Sequence, residues 1–362
     1  SRSLRHQLCW LGFLGVAVQK HLSNPSEVIQ YQGYPNEEYE VLTNDGYYLI
    51  INRIPYGRKN PENTASKPAV LVLPGILTNA GIWVVNKPNN SLGFVLADAG
   101  FDVWLANNRG SRWCKRHQNF SIDQEEFWDF SFHEMGMNDL PAIINFVVAK
   151  TGQEQIFYIG HSQGTTIAFI AFSAMPKLAQ KIKIFFALGP VASLNHTRSP
   201  YPRLAIFAEN LGKVCAIFIV IVIISLFNYC FCILRWARKR VNTLTQFCLK
   251  WFLPLHPQSR IDVIASHLPD CTSVKNILHW AQSIPPVYNI KCSQVQTIVF
   301  SGGQDIMGTP EDTKLLLPVL GNVVYHKEIP HWMHYDFLFG LDARQELYDD
   351  LVEIMQNFRK AS

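Results

Sequence analysis

A serine with a glycine two residues away on each side carries the first chemical signal, in Gly160-His161-Ser162-Gln163-Gly164. The apolar run 156–159 before it reads as a strand and 163–175 after it as a helix, the context a nucleophile elbow needs. Small residues at the two glycine positions let neighbouring chain approach. The sharp turn presents the Ser162 hydroxyl above a sheet, near a helix N-terminus whose dipole favours developing negative charge. A serine at its ordinary pKa is a poor nucleophile and needs a base. In this arrangement the chain order is Ser, then an acid, then His. Asp305 closes Ser301-Gly302-Gly303-Gln304-Asp305, directly after the apolar run 295–300, and is the candidate acid. Of 12 histidines, His331 and His334 both lie in the loop after the short strand 323–326, and spacing does not separate them as the base.

The tetrahedral intermediate of acyl transfer needs two backbone N–H donors. One is expected from Gln163, the residue after the nucleophile, and the other from Pro74-Gly75-Ile76-Leu77, the loop after the strand 70–73. Gly75 lets the chain come close, Ile76 offers the N–H, and Pro74 has none to give. Nothing in this chemistry calls for a metal or an organic cofactor. The eight cysteines (9, 114, 215, 230, 232, 248, 271 and 292) contain no Cys-x-x-Cys and no zinc spacing.

These groups need a scaffold, and the chain supplies a regular one. Residues 40–43 and 47–51 flank Asn44-Asp45-Gly46 and read as a hairpin. Strands are expected at 70–73, 101–106, 156–159, 182–188, 295–300 and 323–326. Helices are expected at 137–150, 163–175, 310–320 and 343–358. Strand and helix in alternation argue for an α/β fold with a mostly parallel sheet covered on both faces.

The length of 362 residues fits two domains, or one α/β enzyme with a large insertion. Gly 21 and Pro 20 are ordinary usage, which excludes collagen-like and disordered chains. Hydrophobic residues make up 48% and charged residues only 17%. A net charge of +4 without a basic stripe argues against nucleic acid as a partner. Arg2 and Arg5 precede an apolar run at 8–18, the pattern of a secretory signal and too short to span a bilayer. Sequons at Asn89, Asn119 and Asn195 are glycosylation candidates that agree with such a signal.

Several stretches resemble the acid lipases of the gastric and lysosomal type. They are Gly33-Tyr34-Pro35-Asn36-Glu37-Glu38-Tyr39-Glu40, Asn52-Arg53-Ile54-Pro55-Tyr56-Gly57, Asn89-Asn90-Ser91-Leu92, Leu96-Ala97-Asp98-Ala99-Gly100-Phe101-Asp102-Val103-Trp104, Gly160-His161-Ser162-Gln163-Gly164-Thr165-Thr166 and His326-Lys327-Glu328-Ile329-Pro330. The resemblance covers residues 25–200 and 260–360. It implies an α/β-hydrolase fold with a cap inserted after the sixth sheet strand. It also implies hydrolysis of acylglycerols or sterol esters, and a secreted or lysosomal home. By position it makes Ser162 the nucleophile, Asp305 the acid and His334, not His331, the base. Three blocks depart from the family pattern. Pro74-Gly75-Ile76 stands where the family has His-Gly before the oxyanion-hole residue. The stretch between His279-Trp280-Ala281-Gln282 and Pro285-Pro286 is shortened and lacks an aromatic-Asp-Trp-Gly element. Residues 205–255 do not resemble the family cap, as an altered exon would explain.

The expected organisation is a signal segment at 1–20, hydrolase core at 25–190, a cap or lid at 191–290, and the rest of the core at 291–362. Within the cap, 214–234 is an uncharged run of 21 residues followed by Arg235, Arg238, Lys239 and Arg240. As a helix of ~1.5 Å per residue it would be about 31 Å long, enough to cross a bilayer. A single crossing would put Ser162 on one side and Asp305 and His334 on the other, so a span and a working triad exclude each other. The preferred reading is a lid helix over the acyl-binding cleft that meets the lipid–water interface. The competing reading is a catalytically impaired lipid-binding or membrane-anchored relative.

Overall fold

Alternating apolar runs and helices build one mixed sheet of nine strands, here in a computed structural model that describes residues 24–58, 66–199, 268–281 and 288–360. The expected signal segment, the apolar run 214–234 and the basic cluster after it lie outside the described residues. Among the described residues no helix is long and apolar enough to cross a membrane.

The expected hairpin is formed by β1 (Glu37–Leu42) and β2 (Tyr47–Ile54), antiparallel with Glu40 opposite Ile50. Gly46 in its turn has φ +97°, a backbone region glycine enters without penalty. The remaining long strands are β3 (Ala69–Leu73), β4 (Asp102–Ala106), β6 (Ile156–His161), β7 (Ile182–Leu188), β8 (Thr297–Gly302) and β9 (Val323–Ile329). The two-residue β5 (Arg116–His117) pairs beside β2. The sheet runs β1-β2-β4-β3-β6-β7-β8-β9, parallel from β4 to β9.

Period-two alternation sorts each central strand between two cores. Val70 and Val72 of β3 face one core, and Ala69, Leu71 and Leu73 face the other. Both faces are covered, which is why these strands read as unbroken apolar runs. Helix α1 (Leu140–Thr151) buries Leu140, Ile143, Ile144 and Val147, one stripe at helical spacing. Helix α2 (Gln163–Ala174), by contrast, is apolar nearly all round and almost wholly buried.

The helices differ from expectation where prolines intervene. The helix expected from 137 starts earlier, at Phe132, and passes through a π-helical turn, Met135–Asp139, with Leu140 N–H reaching Met135 C=O. Pro141 has no N–H for the ordinary bond to Met137, so the wider turn takes up the mismatch. The helix expected over 310–320 is α-helical only to Leu316 and continues as a 3-10 turn, Leu317–Val319, because Pro318 has no N–H for the ordinary bond to Lys314 C=O.

Winding reverses at β3, which has β4 on one side and β6 on the other, with Leu73 opposite Gly160. Crevices at the carboxyl ends of strands open at such a switch point. The loops after β3 and β6 therefore lie side by side.

Two buried charges brace the surroundings of that crevice. Arg109, 1% exposed, donates from Nε to Asp139 (2.9 Å) and from Nη1 to Asp45 (2.7 Å), and lies 4.0 Å over the Tyr47 ring. It joins the hairpin turn to the π-helical turn. Asp336, 1% exposed, accepts from Met333 N–H (2.6 Å) in the loop after β9. Burial first, and then the nearby Asp342 and Asp305, push its carboxyl up to about 6, against Met333 N–H and His331.

Arg109→Met is expected to destabilise the fold by about 3–5 kcal/mol in urea unfolding, because it leaves Asp139 buried without its partner. Asp336 has the opposite sign from a salt-bridged carboxylate. Its folded pKa lies above the ordinary 3.8, so the folded state binds more protons between about pH 4 and 6. Its contribution is complete at the acid end and is lost as pH rises through about 6. Thermal unfolding of wild type and Asp336→Asn is expected to diverge over this window, by up to about 3 kcal/mol. Parallel pH profiles would contradict the assignment.

Candidate active site

Ser162 sits between β6 and α2 at φ 52°, ψ −120°, a conformation rare for any residue with a side chain. Neighbours hold it there. Its N–H donates to Leu188 C=O at the end of β7 (3.1 Å), and its own C=O accepts from the N–H and hydroxyl of Thr165. Glycines give the turn room. A Cβ on Gly160 would lie 2.7 Å from Gly164 C=O, and one on Gly164 would lie 2.6 Å from Leu73 C=O. A Cβ on Gly75 would lie 2.9 Å from Ser162 Cβ, so the loop after β3 runs directly against the serine.

Ser162 Oγ is 2.8 Å from His334 Nε2, and His334 Nδ1 is 2.7 Å from Asp305 Oδ2. All three residues are buried. The other oxygen of Asp305 accepts from the N–H groups of Met307 (2.8 Å) and Gly308 (3.0 Å), which fixes the carboxylate plane. The loops carrying Asp305 and His334 are knitted together: Gly303 N–H donates to Ile329 C=O and Gln304 N–H to Trp332 C=O, both at 2.9 Å. His331 lies outside this group. It is half-exposed and pairs with Asp342 at 2.7 Å. His326 faces Ser301 across 2.8 Å within the sheet. A hydroxyl, an imidazole and a carboxylate in series can pass a proton from Oγ to Nε2 while the carboxylate steadies the imidazolium.

The loop after β3 is held by its carbonyls. Gly75 C=O accepts from the Thr78 hydroxyl (2.8 Å) and from Asn108 Nδ2 (3.1 Å). Leu77, at φ 57°, has its C=O paired with Asp270 N–H at 2.7 Å, and Asn79 Nδ2 donates to the Asp270 carboxylate at 2.6 Å. Among the described residues, no acceptor lies against the N–H of Ile76 or of Gln163. The Gln163 side chain is also occupied: its Oε1 accepts from Asn276 Nδ2 (2.9 Å) and Trp280 Nε1 (2.8 Å), both on helix α3 (Val274–Ala281).

His161 adds a buried ring beside the serine. Its Nε2–H donates to His334 C=O at 2.9 Å. Its Nδ1 is buried without a hydrogen-bond partner among the described residues. Burial, reinforced by the neighbouring His334, pushes the His161 pKa well below the usual histidine value, so the ring is neutral.

Thr78, Asn108, Asp270, Asn276, Trp280 and His161 are side chains that the sequence reading passed over. Only Asn107-Asn108 carried a usable signal, two amides at the carboxyl end of β4, just past the apolar run 103–106. The asparagines of the three sequons, Asn89, Asn119 and Asn195, are exposed. Cys114 is a buried free thiol, and Cys271 is disulfide-bonded. Among the described residues no cluster of His, Cys, Asp or Glu could hold a metal ion.

Known proteins share this architecture. A family model for a partial alpha/beta-hydrolase lipase region matches residues 25–87, and one for the alpha/beta hydrolase fold matches 68–209. Human gastric triacylglycerol lipase is 44% identical, over 93% of this chain and 92% of its own. Human lysosomal acid lipase/cholesteryl ester hydrolase is 42% identical, over 93% of this chain and 91% of its own. Among solved structures, a thermophilic esterase from Thermogutta terrifontis superposes with a TM-score of 0.54 at 14% identity, over 89% of this chain and 99% of that one, a likeness of fold alone. With relatives this similar over more than nine-tenths of its length, the chain belongs to the acid lipase family of the α/β-hydrolase fold.

Proposed function

We propose that this chain is a serine lipase that hydrolyses lipid esters, acylglycerols or sterol esters, through an acyl-enzyme. The observation that carries the reading is the continuous contact of Ser162, His334 and Asp305, at 2.8 and 2.7 Å. Ser162 Oγ attacks the ester carbonyl carbon and His334 Nε2 takes its proton. Asp305 keeps Nδ1–H of the ring in place and stabilises the cation. The N–H groups of Gln163 and Ile76 receive the oxyanion. His334 returns the proton to the departing alcohol, leaving the acyl group on Ser162. Water, deprotonated by His334, then releases the fatty acid.

The substrate class follows from the names of the relatives, one a triacylglycerol lipase and one a cholesteryl ester hydrolase. The 21-residue uncharged run at 214–234 supports work at a lipid–water interface. The disulfide at Cys271 and three exposed sequons support a route through the secretory pathway and glycosylation at Asn89, Asn119 and Asn195.

Purified chain treated with a tagged alkyl fluorophosphonate is expected to be labelled on Ser162. Ser162→Ala and His334→Ala are expected to lose labelling and long-chain ester hydrolysis by about 10⁴-fold or more. His331→Ala is expected to stay close to wild type. Folded wild-type chain that takes no label at Ser162 would favour the impaired lipid-binding relative instead.

A further inference from the structure

Ile76 N–H belongs to the same peptide unit as Gly75 C=O. That unit is planar and trans, so whatever aims the C=O aims the N–H in the opposite direction. Glycine at 75 gives the unit no steric guidance of its own, since φ and ψ of glycine are widely permitted. Two side chains supply it. The Thr78 hydroxyl donates to Gly75 C=O from within the loop (2.8 Å), and Asn108 Nδ2 donates from the end of β4 (3.1 Å). Both residues are buried, at 2% and 7% exposed, so neither bond is in competition with bulk water. Asn107 next door takes the far end of the loop, with its Oδ1 accepting from Ala80 N–H at 2.9 Å.

We infer that Thr78 and Asn108 are positioning residues for transition-state stabilisation: by gripping Gly75 C=O from two sides they hold Ile76 N–H ready for the oxyanion. The inference rests on the hydrolase reading of Ser162 and on Ile76 as the second donor. It explains why proline is tolerated at 74: aiming falls to the bonds on Gly75 C=O, and Pro74 N takes no part in them. Neither residue touches the ester. Their effect is confined to the step in which negative charge appears on the carbonyl oxygen, so they separate kcat from KM.

The rate of phosphonylation reads this directly. Ser162 Oγ bonds to phosphorus as the P–F bond breaks, fluoride leaves, the hydroxyl proton passes to His334, and the phosphoryl oxygen occupies the oxyanion position. Affinity for a long-chain fatty alcohol, which presents no oxyanion, serves as the control. Thr78→Val and Asn108→Ala are each expected to slow phosphonylation and kcat about tenfold, a fraction of the 10²–10³ that a whole donor is worth. KM, fatty-alcohol affinity and melting temperature should stay near wild type, and Thr78→Ser should recover the rate. Should Thr78→Val fail to fold, Asn108→Ala reaches the same carbonyl from another element and carries the test. Wild-type rates in Asn108→Ala, an equal loss of alcohol affinity, or no rescue by Thr78→Ser would overturn the inference. Absence of Ser162 labelling in the wild type would instead remove the hydrolase reading beneath it.

Discussion

Backbone crowding around Ser162 is the constraint on which the rest depends. A side-chain-bearing residue at φ 52° is strained, and it persists only where the surroundings allow no alternative. Here strand β6, helix α2 and the loop after β3 meet at one point. The distances available there, 2.6–2.9 Å to any added Cβ, leave room only for glycine at 75, 160 and 164. The strain has a use. It turns the hydroxyl out of the sheet, into reach of His334, and places the first N–H of a buried helix beside it. The same crowding brings the loop after β3 against the serine, so one set of missing methyl groups shapes both the turn and its neighbour.

A second theme is that the buried polar groups of this crevice act on one another through main-chain atoms. Asp305 is fixed by two backbone N–H groups, His161 by the carbonyl of His334, and Gly75 C=O by Thr78 and Asn108. Buried polar groups in a medium of low effective dielectric interact strongly and are costly if left unpaired. Convergence on backbone atoms allows precise placement with few residues committed to contact with substrate. The segment 268–281 joins this network at two places, Asp270 on the loop after β3 and Asn276 with Trp280 on Gln163. The two sides of the crevice are therefore tied to the same short stretch of chain.

Much of this was legible in the sequence, for identifiable reasons. The hairpin was visible from Asn44-Asp45-Gly46, and β3, β6 and β7 from apolar runs bounded by turn residues, because a strand buried on both faces has no polar positions to obscure it. Ser162 and Asp305 stood out as candidates from their place just past strands. The choice between His331 and His334 was not available from spacing, since the two lie three residues apart in one loop. The family resemblance pointed to His334, and in the structure the ring of His331 lies with Asp342 and that of His334 with Ser162. Helix starts and ends were misjudged where Pro141 and Pro318 alter the hydrogen-bond pattern. The bracing side chains were hidden because their partners are carbonyl oxygens, which every residue possesses, and because Asn108 acts 33 positions from Gly75.

Direct capture of the covalent intermediate tests the central claim, that Ser162 carries the acyl group while His334 and Asp305 serve it. Chain mixed rapidly with a long-chain nitrophenyl ester and quenched in acid should give, by peptide mass spectrometry, one acyl group per chain. That group should lie on Ser162, and it should be absent when His334 is replaced by alanine. Ester turnover with no acylated Ser162 peptide, or with the acyl group on another residue, would contradict the account.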